Sequence, residues 1–129
     1  MKVKDLMIED VITTNKQMTI EDAIEILFEK HVGALVITDD KRKCKGIFTE
    51  RDALRSIARK IPLNTQLMNV MSKNVITVRK DASFAKAKNL MISHGIRHLP
   101  VVDEEGHLTG MLTLRSVLDE LVGMSKVKG

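Results

Sequence analysis

The chain repeats itself. Val11-Ile12-Thr13 recurs as Val75-Ile76-Thr77, an offset of 64 residues, and that offset holds without a gap. It pairs Met7 with Met71, Lys16 with Lys80, Ala23 with Ala87 and Leu35 with Leu99. Further on it pairs Asp39 with Asp103, Gly46 with Gly110, Thr49 with Thr113, Arg51 with Arg115 and Leu54 with Leu118. Two copies of a unit of about sixty residues make a paired module, not a solenoid. A unit of that size lies near the lower limit for burying an adequate core alone. The expectation is two copies, at 3–60 and 67–123, packed about a pseudo-twofold axis with their sheets facing a cleft between the repeats.

Within each copy the hydrophobic pattern gives one order of elements. Val3, Leu6 and Met7 form a helical lead-in turn, mirrored by Leu67, Val70 and Met71. A β-branched strand follows at 11–14 and another at 75–78. Thr19 opens a helix whose Ile20, Ala23, Ile24, Leu27 and Phe28 fall on one stripe, ended by Gly33 and its neighbours. The run 34–38 is apolar and too short for a helix, so it reads as a buried strand. A turn at 39–43, a strand at 45–49 and a helix from Glu50 to about Arg59, burying Ala53, Leu54, Ile57 and Ala58, complete the copy. A linker with Pro62 leads to the second copy: a helix at 83–94, strands at 98–102 and 109–113, and a helix at 114–122. The fold class is therefore α/β (α+β), two β-α-β-β-α units, with a frayed tail at 125–129.

The stretch with chemical content is Gly46-Ile47-Phe48-Thr49-Glu50-Arg51-Asp52, a strand running into a helix. The start of a helix presents backbone N–H groups that suit an anion, and an acid beside them can take both hydroxyls of a ribose. Thr49-x-x-Asp52 is also the spacing of a capping box, which contributes on the order of 1 kcal/mol and needs no ligand. Both readings stand on these residues.

Composition excludes several function classes. No apolar run reaches the roughly 20 residues of a membrane span, and nothing after Met1 resembles a signal region, so a cytoplasmic location is expected. A single cysteine, Cys44, excludes an internal disulfide and a cysteine-based zinc cluster; the basic turn beside it could lower its pKa. The four histidines form no metal-binding helix pair, and His31 and His94 read as dipole-compensating helix ends. There is no nucleophile with a matched base, so an enzyme is not expected. With no Trp or Tyr and three Phe, stacking platforms for nucleic acid are scarce, although Lys41 to Lys45 and the 126–128 tail keep a nucleic-acid-associated regulator as an alternative.

Taken together, the two lead-ins, the run Gly95-Ile96-Arg97-His98-Leu99-Pro100-Val101-Val102-Asp103 and the two glycine-strand-Thr-helix junctions resemble a tandem CBS domain pair, a Bateman module. That resemblance covers about 3–122 and implies a regulatory module without catalysis of its own, binding AMP, ADP, ATP or S-adenosylmethionine between the repeats. It places the ribose on Asp52, the ribose or phosphate on Thr49, the adenine beside Ile12-Thr13 and Ile76-Thr77, and the phosphates near Arg97 and His98, with Pro100, Thr113 and Ser116 also among the ligand-binding residues. Arg51 and Arg115 recur in the phosphate-facing turn. It also implies a homodimer of modules that covers part of Leu54, Ile57, Leu118 and Leu121. With no effector domain read in the chain, the output is expected on another protein.

The second copy departs from the pattern: after Thr113, Ser116 stands where the acid belongs. A neutral hydroxyl forgoes a charge-assisted bond of roughly 1.5–3 kcal/mol. Conversely, the first copy has Gly33-Ala34 where the second has Arg97-His98. The expectation is one good nucleotide site centred on Asp52 and a weaker one near Ser116, with a ligand-free dimerisation module as the rival reading.

Overall fold

A computed structural model describes residues 1–123; the tail at 125–129 lies outside the described residues. The strands are β1 (Thr13–Thr14), β2 (Ala34–Thr38), β3 (Cys44–Thr49), β4 (Val78–Arg79), β5 (His98–Val102) and β6 (Leu108–Thr113). The helices are α1 (Ile20–Lys30), α2 (Glu50–Ala58), α3 (Phe84–His94) and α4 (Leu114–Leu121), and short 3-10 turns at Val3–Asp5 and Leu67–Asn69 form the lead-ins. The β-α-β-β-α order expected of each copy is present twice. Among the described residues there are two three-stranded sheets, ordered β1-β2-β3 and β4-β5-β6, each with one parallel and one antiparallel pair.

The register repeats with the sequence. Thr14 lies opposite Ile37 and Val78 opposite Val101, and both sheets carry an irregularity one residue later, at Ile37/Thr38 and Val101/Val102. The short parallel ladder nevertheless begins one step later in the second copy. Val36 donates its N–H to the Ile12 carbonyl at 3.2 Å, whereas the corresponding residue, Pro100, has no N–H to give.

The compact units divide the chain differently from the repeats. One comprises Val11–Val75; the other comprises Met1–Asp10 with the chain from Ile76 onward. Each unit therefore holds the body of one copy and the lead-in of the other. Leu67 is fully buried against Ile20, Leu35 and Phe48, while Val3 is fully buried against Val78, Leu99 and Leu112. Full burial of a side chain of this size contributes about 1.5–3 kcal/mol. Backbone bonds fix the docking: Ile8 and Met111 exchange two at 2.8 Å, and Ser72 and Ile47 exchange two at 3.2 Å. The glycines of the repeated motif make room for it. A Cβ on Gly46 would meet the Met71 sulfur at 2.6 Å, and one on Gly110 would meet the Met7 sulfur at 2.7 Å and the Ile8 carbonyl oxygen at 2.8 Å.

Three expectations need correction. Helix α1 stops ahead of Gly33, at His31, which takes the left-handed conformation (φ 54°) that Gly95 takes after α3. Phe28 is not in the α1 stripe that faces the core; it is 78% exposed, because the sheet covers only the narrower face of Ile20, Ala23 and Leu27. Helix α2 buries Asp52, Ala53 and Ser56, while Leu54, Ile57 and Ala58 face outward. Its cap and the Ser56 hydroxyl, which donates to the Asp52 carbonyl at 2.8 Å, turn the polar side toward the sheet.

The two β-β turns are built alike. Asp39 Oδ1 accepts from the backbone of Lys41 and Lys43, and Asp103 Oδ1 from that of Glu105 and His107, each at 2.9 Å. Those backbone bonds, led by Lys43 and by His107 respectively, hold both carboxyls below the ordinary value of 3.8. A depressed folded-state pKa gives stability that is present above the unfolded value and lost as pH falls through the folded one. Stability should accordingly decline below about pH 4, and Asp39→Asn with Asp103→Asn should flatten that acid limb in denaturant titrations followed by circular dichroism. An unchanged limb would mean these turns do not set it.

The glycine contacts predict an ordering. Gly110→Ala, which drives a methyl into the Ile8 backbone, should cost more than Gly46→Ala, which meets only a flexible methionine, within the roughly 1–3 kcal/mol of an overpacked site. Urea denaturation of the two variants measures this, and equal losses would contradict the lead-in geometry.

Candidate functional site

Because β1 runs parallel to β2 and β3 antiparallel to it, the starts of β1 and β2 and the end of β3 meet at one edge of the sheet. Ala34 is paired with Thr49 there, and the Ile12 carbonyl accepts from Val36. Ile12, Thr13 and Thr49 are half-buried, Arg51 is exposed, and Asp52 sits in the first turn of α2 at 6% exposure. This edge brings together all the site residues predicted in the first copy.

The Asp52 carboxylate is turned onto the start of its own helix. Its Oδ2 accepts from the Thr49 N–H at 2.9 Å and from the Thr49 hydroxyl at 3.1 Å, while the Asp52 N–H donates to Thr49 Oγ1 at 3.2 Å. Its Oδ1 accepts from Arg55 Nη1 at 2.9 Å. The capping box is therefore closed. It does not exhaust the carboxylate, which offers about four lone-pair sites. The helix start is less open to an anion than the sequence suggested, since the Glu50 N–H is also taken, by the Gly33 carbonyl at 3.0 Å.

The second copy places its predicted residues in the same way at the matching edge of its own sheet. His98 pairs with Thr113, and the Leu114 N–H donates to the Arg97 carbonyl at 2.8 Å. Thr113 caps α4 through the Ser116 N–H at 3.2 Å, and its hydroxyl lies 2.9 Å from that of Ser116. Arg97 and Arg115 are exposed, whereas His98, Ile76 and Thr77 are half-buried. Pro100 is fully buried opposite Met111. One edge thus carries the acid Asp52 with Arg51 and Arg55, and the other carries Arg97, His98 and Arg115 beside a neutral Ser116.

Sequence reasoning missed Arg55. Its signal was the Asp52-x-x-Arg55 spacing, which puts both side chains on one helical face. At the opposite end of the first sheet a cleft of about 610 Å³ is lined by Lys16, Ile37, Asp39, Lys45, Met71 and Lys73 among others, and holds none of the predicted site residues. Cys44 corrects another expectation: burial pushes its thiol up to about 11, against the lowering its basic neighbours suggested. His94 does serve its helix end, with Nδ1 3.1 Å from the Leu90 carbonyl oxygen.

Comparison with known proteins follows the same lines. The family model described as CBS domain matches residues 3–59 and again 67–123. A homoserine O-acetyltransferase of Methanohalobium evestigatum is 36% identical over 115 residues, which are 89% of this chain and 23% of that protein. The chain spans less than a quarter of the first curated relatives it matches, an inosine-5'-monophosphate dehydrogenase of Methanocaldococcus jannaschii among them. The CBS domain pair of protein MJ0100, solved with 5'-methylthioadenosine and S-adenosyl-L-methionine, is 27% identical with a TM-score of 0.89, covering 96% of this chain and 98% of that one. Protein PAE2072 of Pyrobaculum aerophilum, solved with AMP, is 27% identical with a TM-score of 0.86, covering 95% and 99%.

The two caps differ in what they hold, which gives a test. Thr49→Ala removes a cap and strips one donor from a buried carboxylate, about 2 kcal/mol, whereas Thr113→Ala removes a cap and a bond to the neutral, half-buried Ser116 hydroxyl, about 1 kcal/mol. Urea denaturation should rank them in that order, and the reverse order would contradict the bonding at Asp52.

Proposed function

The chain belongs to the CBS domain family, as a tandem pair, and we propose that it is a regulatory sensor of an adenosine ligand. The observation that carries this reading is the placement of Asp52, a carboxylate held by Thr49 where β1 and β2 begin and β3 ends. Two relatives of closely similar fold were solved with adenosine compounds. In this reading Asp52 and Thr49 hold the ribose, with Ile12, Thr13, Ile76 and Thr77 beside the base. Arg51, Arg97, His98 and Arg115 face the phosphates or their equivalent, and Thr113 with Ser116 forms the weaker second site. The ligand is AMP, ADP, ATP or S-adenosylmethionine, bound reversibly and not transformed.

Occupancy acts on an effector protein in trans, in the cytoplasm, by favouring one of two conformations that differ in affinity for the ligand. Among the described residues, no helix is long and apolar enough to cross a membrane. The outward Leu54, Ile57, Leu118 and Leu121 supply the surface for a homodimer. The closed capping box and those same apolar faces favour a second reading, a dimerisation module that binds nothing.

Since the chain has neither Trp nor Tyr, adenine carried through purification stands out at 260 nm against an almost blank 280 nm region. Calorimetric titration with AMP, ATP and S-adenosylmethionine should find at least one that binds, and Asp52→Ala should weaken it about tenfold or more. Equal binding by the two proteins would overturn the assignment of Asp52, and no binding by either would leave the dimerisation module.

A further inference from the structure

We propose that Arg55 is a built-in competitor for the ribose-binding face of Asp52, and so sets how tightly the first site holds its ligand. This rests on the reading of Asp52 given above. The two oxygens of that carboxylate are not equivalent. Oδ2 is fixed by two bonds from Thr49, one of them from the backbone, and these are part of the helix start. Oδ1 is engaged by Arg55 Nη1 at 2.9 Å. The Asp52 side chain is 7% exposed and that of Arg55 46%, so the guanidinium covers the carboxylate from the solvent side.

A diol that binds a carboxylate with both hydroxyls needs a lone pair on each oxygen. On Oδ2 it leaves the Thr49 N–H bond in place and replaces the rotatable Thr49 hydroxyl, and at Oδ1 it meets Arg55, which lies on the solvent side of the carboxylate. Binding therefore includes turning the guanidinium out to water, where it stays fully hydrated. The energy involved is small. A partly exposed ion pair contributes about 0.2–1 kcal/mol, which corresponds to a factor of about 1.4 to 5 in affinity.

The second copy is the internal control. At the offset of 64, Arg55 corresponds to Asp119 and Asp52 to Ser116. The pair is absent there as a pair: with no acid at 116, no cation is kept one turn along. Ser116 instead meets Thr113.

The test is calorimetry of the full chain with AMP and with adenosine, on wild type, Arg55→Met and Asp52→Ala. Adenosine carries no charge, so its affinity is free of any attraction between Arg55 and a phosphate. Arg55→Met should bind adenosine about 1.4- to 5-fold more tightly than wild type. Adding salt should tighten adenosine binding to wild type, by screening the pair, and leave Arg55→Met unchanged. If Asp52→Ala loses binding while Arg55→Met binds adenosine equally or more weakly, the competitor is overturned and the ribose acid stands. If Asp52→Ala binds as wild type does, or if nothing binds to any of the three, the ribose acid falls and Arg55 with it.

Discussion

Everything in this chain depends on how closely two short lead-in segments approach the edge strands they add to. Met7 and Ile8 close on Gly110 and Met111, and Met71 and Ser72 on Gly46 and Ile47, at distances that leave no room for a Cβ. A three-stranded sheet of this size has an unpaired outer strand, and pairing that edge both completes the backbone bonds and buries Val3 or Leu67 in the core. Because each lead-in serves the body of the opposite copy, neither repeat by itself contains a complete core. The duplication is thus a folding requirement before it is a functional one. The motif glycine, easily taken for a ligand contact, is first a packing contact.

The capping box and the ribose acid need not exclude one another. The cap spends Oδ2 of Asp52 on Thr49 and leaves Oδ1 to face Arg55, so it sets the direction of the carboxylate in advance of any ligand. A floppy acid would have to be ordered on binding, at a cost in side-chain entropy. Held as it is, Asp52 has already met that cost through the helix. The residue pair that stabilises α2 by about 1 kcal/mol also presents the carboxylate in one orientation.

Much of the fold could be read from the residues, since the repeat and the alternation of short apolar runs with amphipathic stretches are local signals. What could not be read was mostly non-local. The offset pairs Met7 with Met71 but cannot say which body either one docks against. Apolar periodicity sent Leu54, Ile57 and Phe28 inward, yet α2 turns Asp52 and Ser56 to the sheet, because satisfied caps and back-bonds let small polar residues sit there. Backbone conformation was half visible. Gly95 and Gly106 announce left-handed positions in the second copy, whereas the first fills the same places with His31 and Arg42, residues that carry no such signal. At the site, Thr49 and Asp52 were legible as a motif, but the partner of Oδ1 was not, because a solvated arginine looks the same in sequence whether or not it bends back one turn.

The copies have kept their geometry and divided their chemistry. The antiparallel register, the irregularity at the ends of β2 and β5, the turn aspartates and the capping threonines are all shared across the offset. At the edge where the strands converge, the residues differ: Asp52 against Ser116, Arg55 against Asp119, Gly33-Ala34 against Arg97-His98. Packing explains the shared set, since every member closes a turn, a cap or a ladder. It does not dictate the divergent set: Asp52 and Ala34 are buried and only Arg55 and Arg97 are exposed, yet both copies close the same cap and the same strand pairing with different residues. Each copy settles its helix start differently: in the first Asp52 is held between Thr49 and Arg55, whereas in the second the neutral Ser116 meets Thr113 and leaves Arg97 and Arg115 exposed.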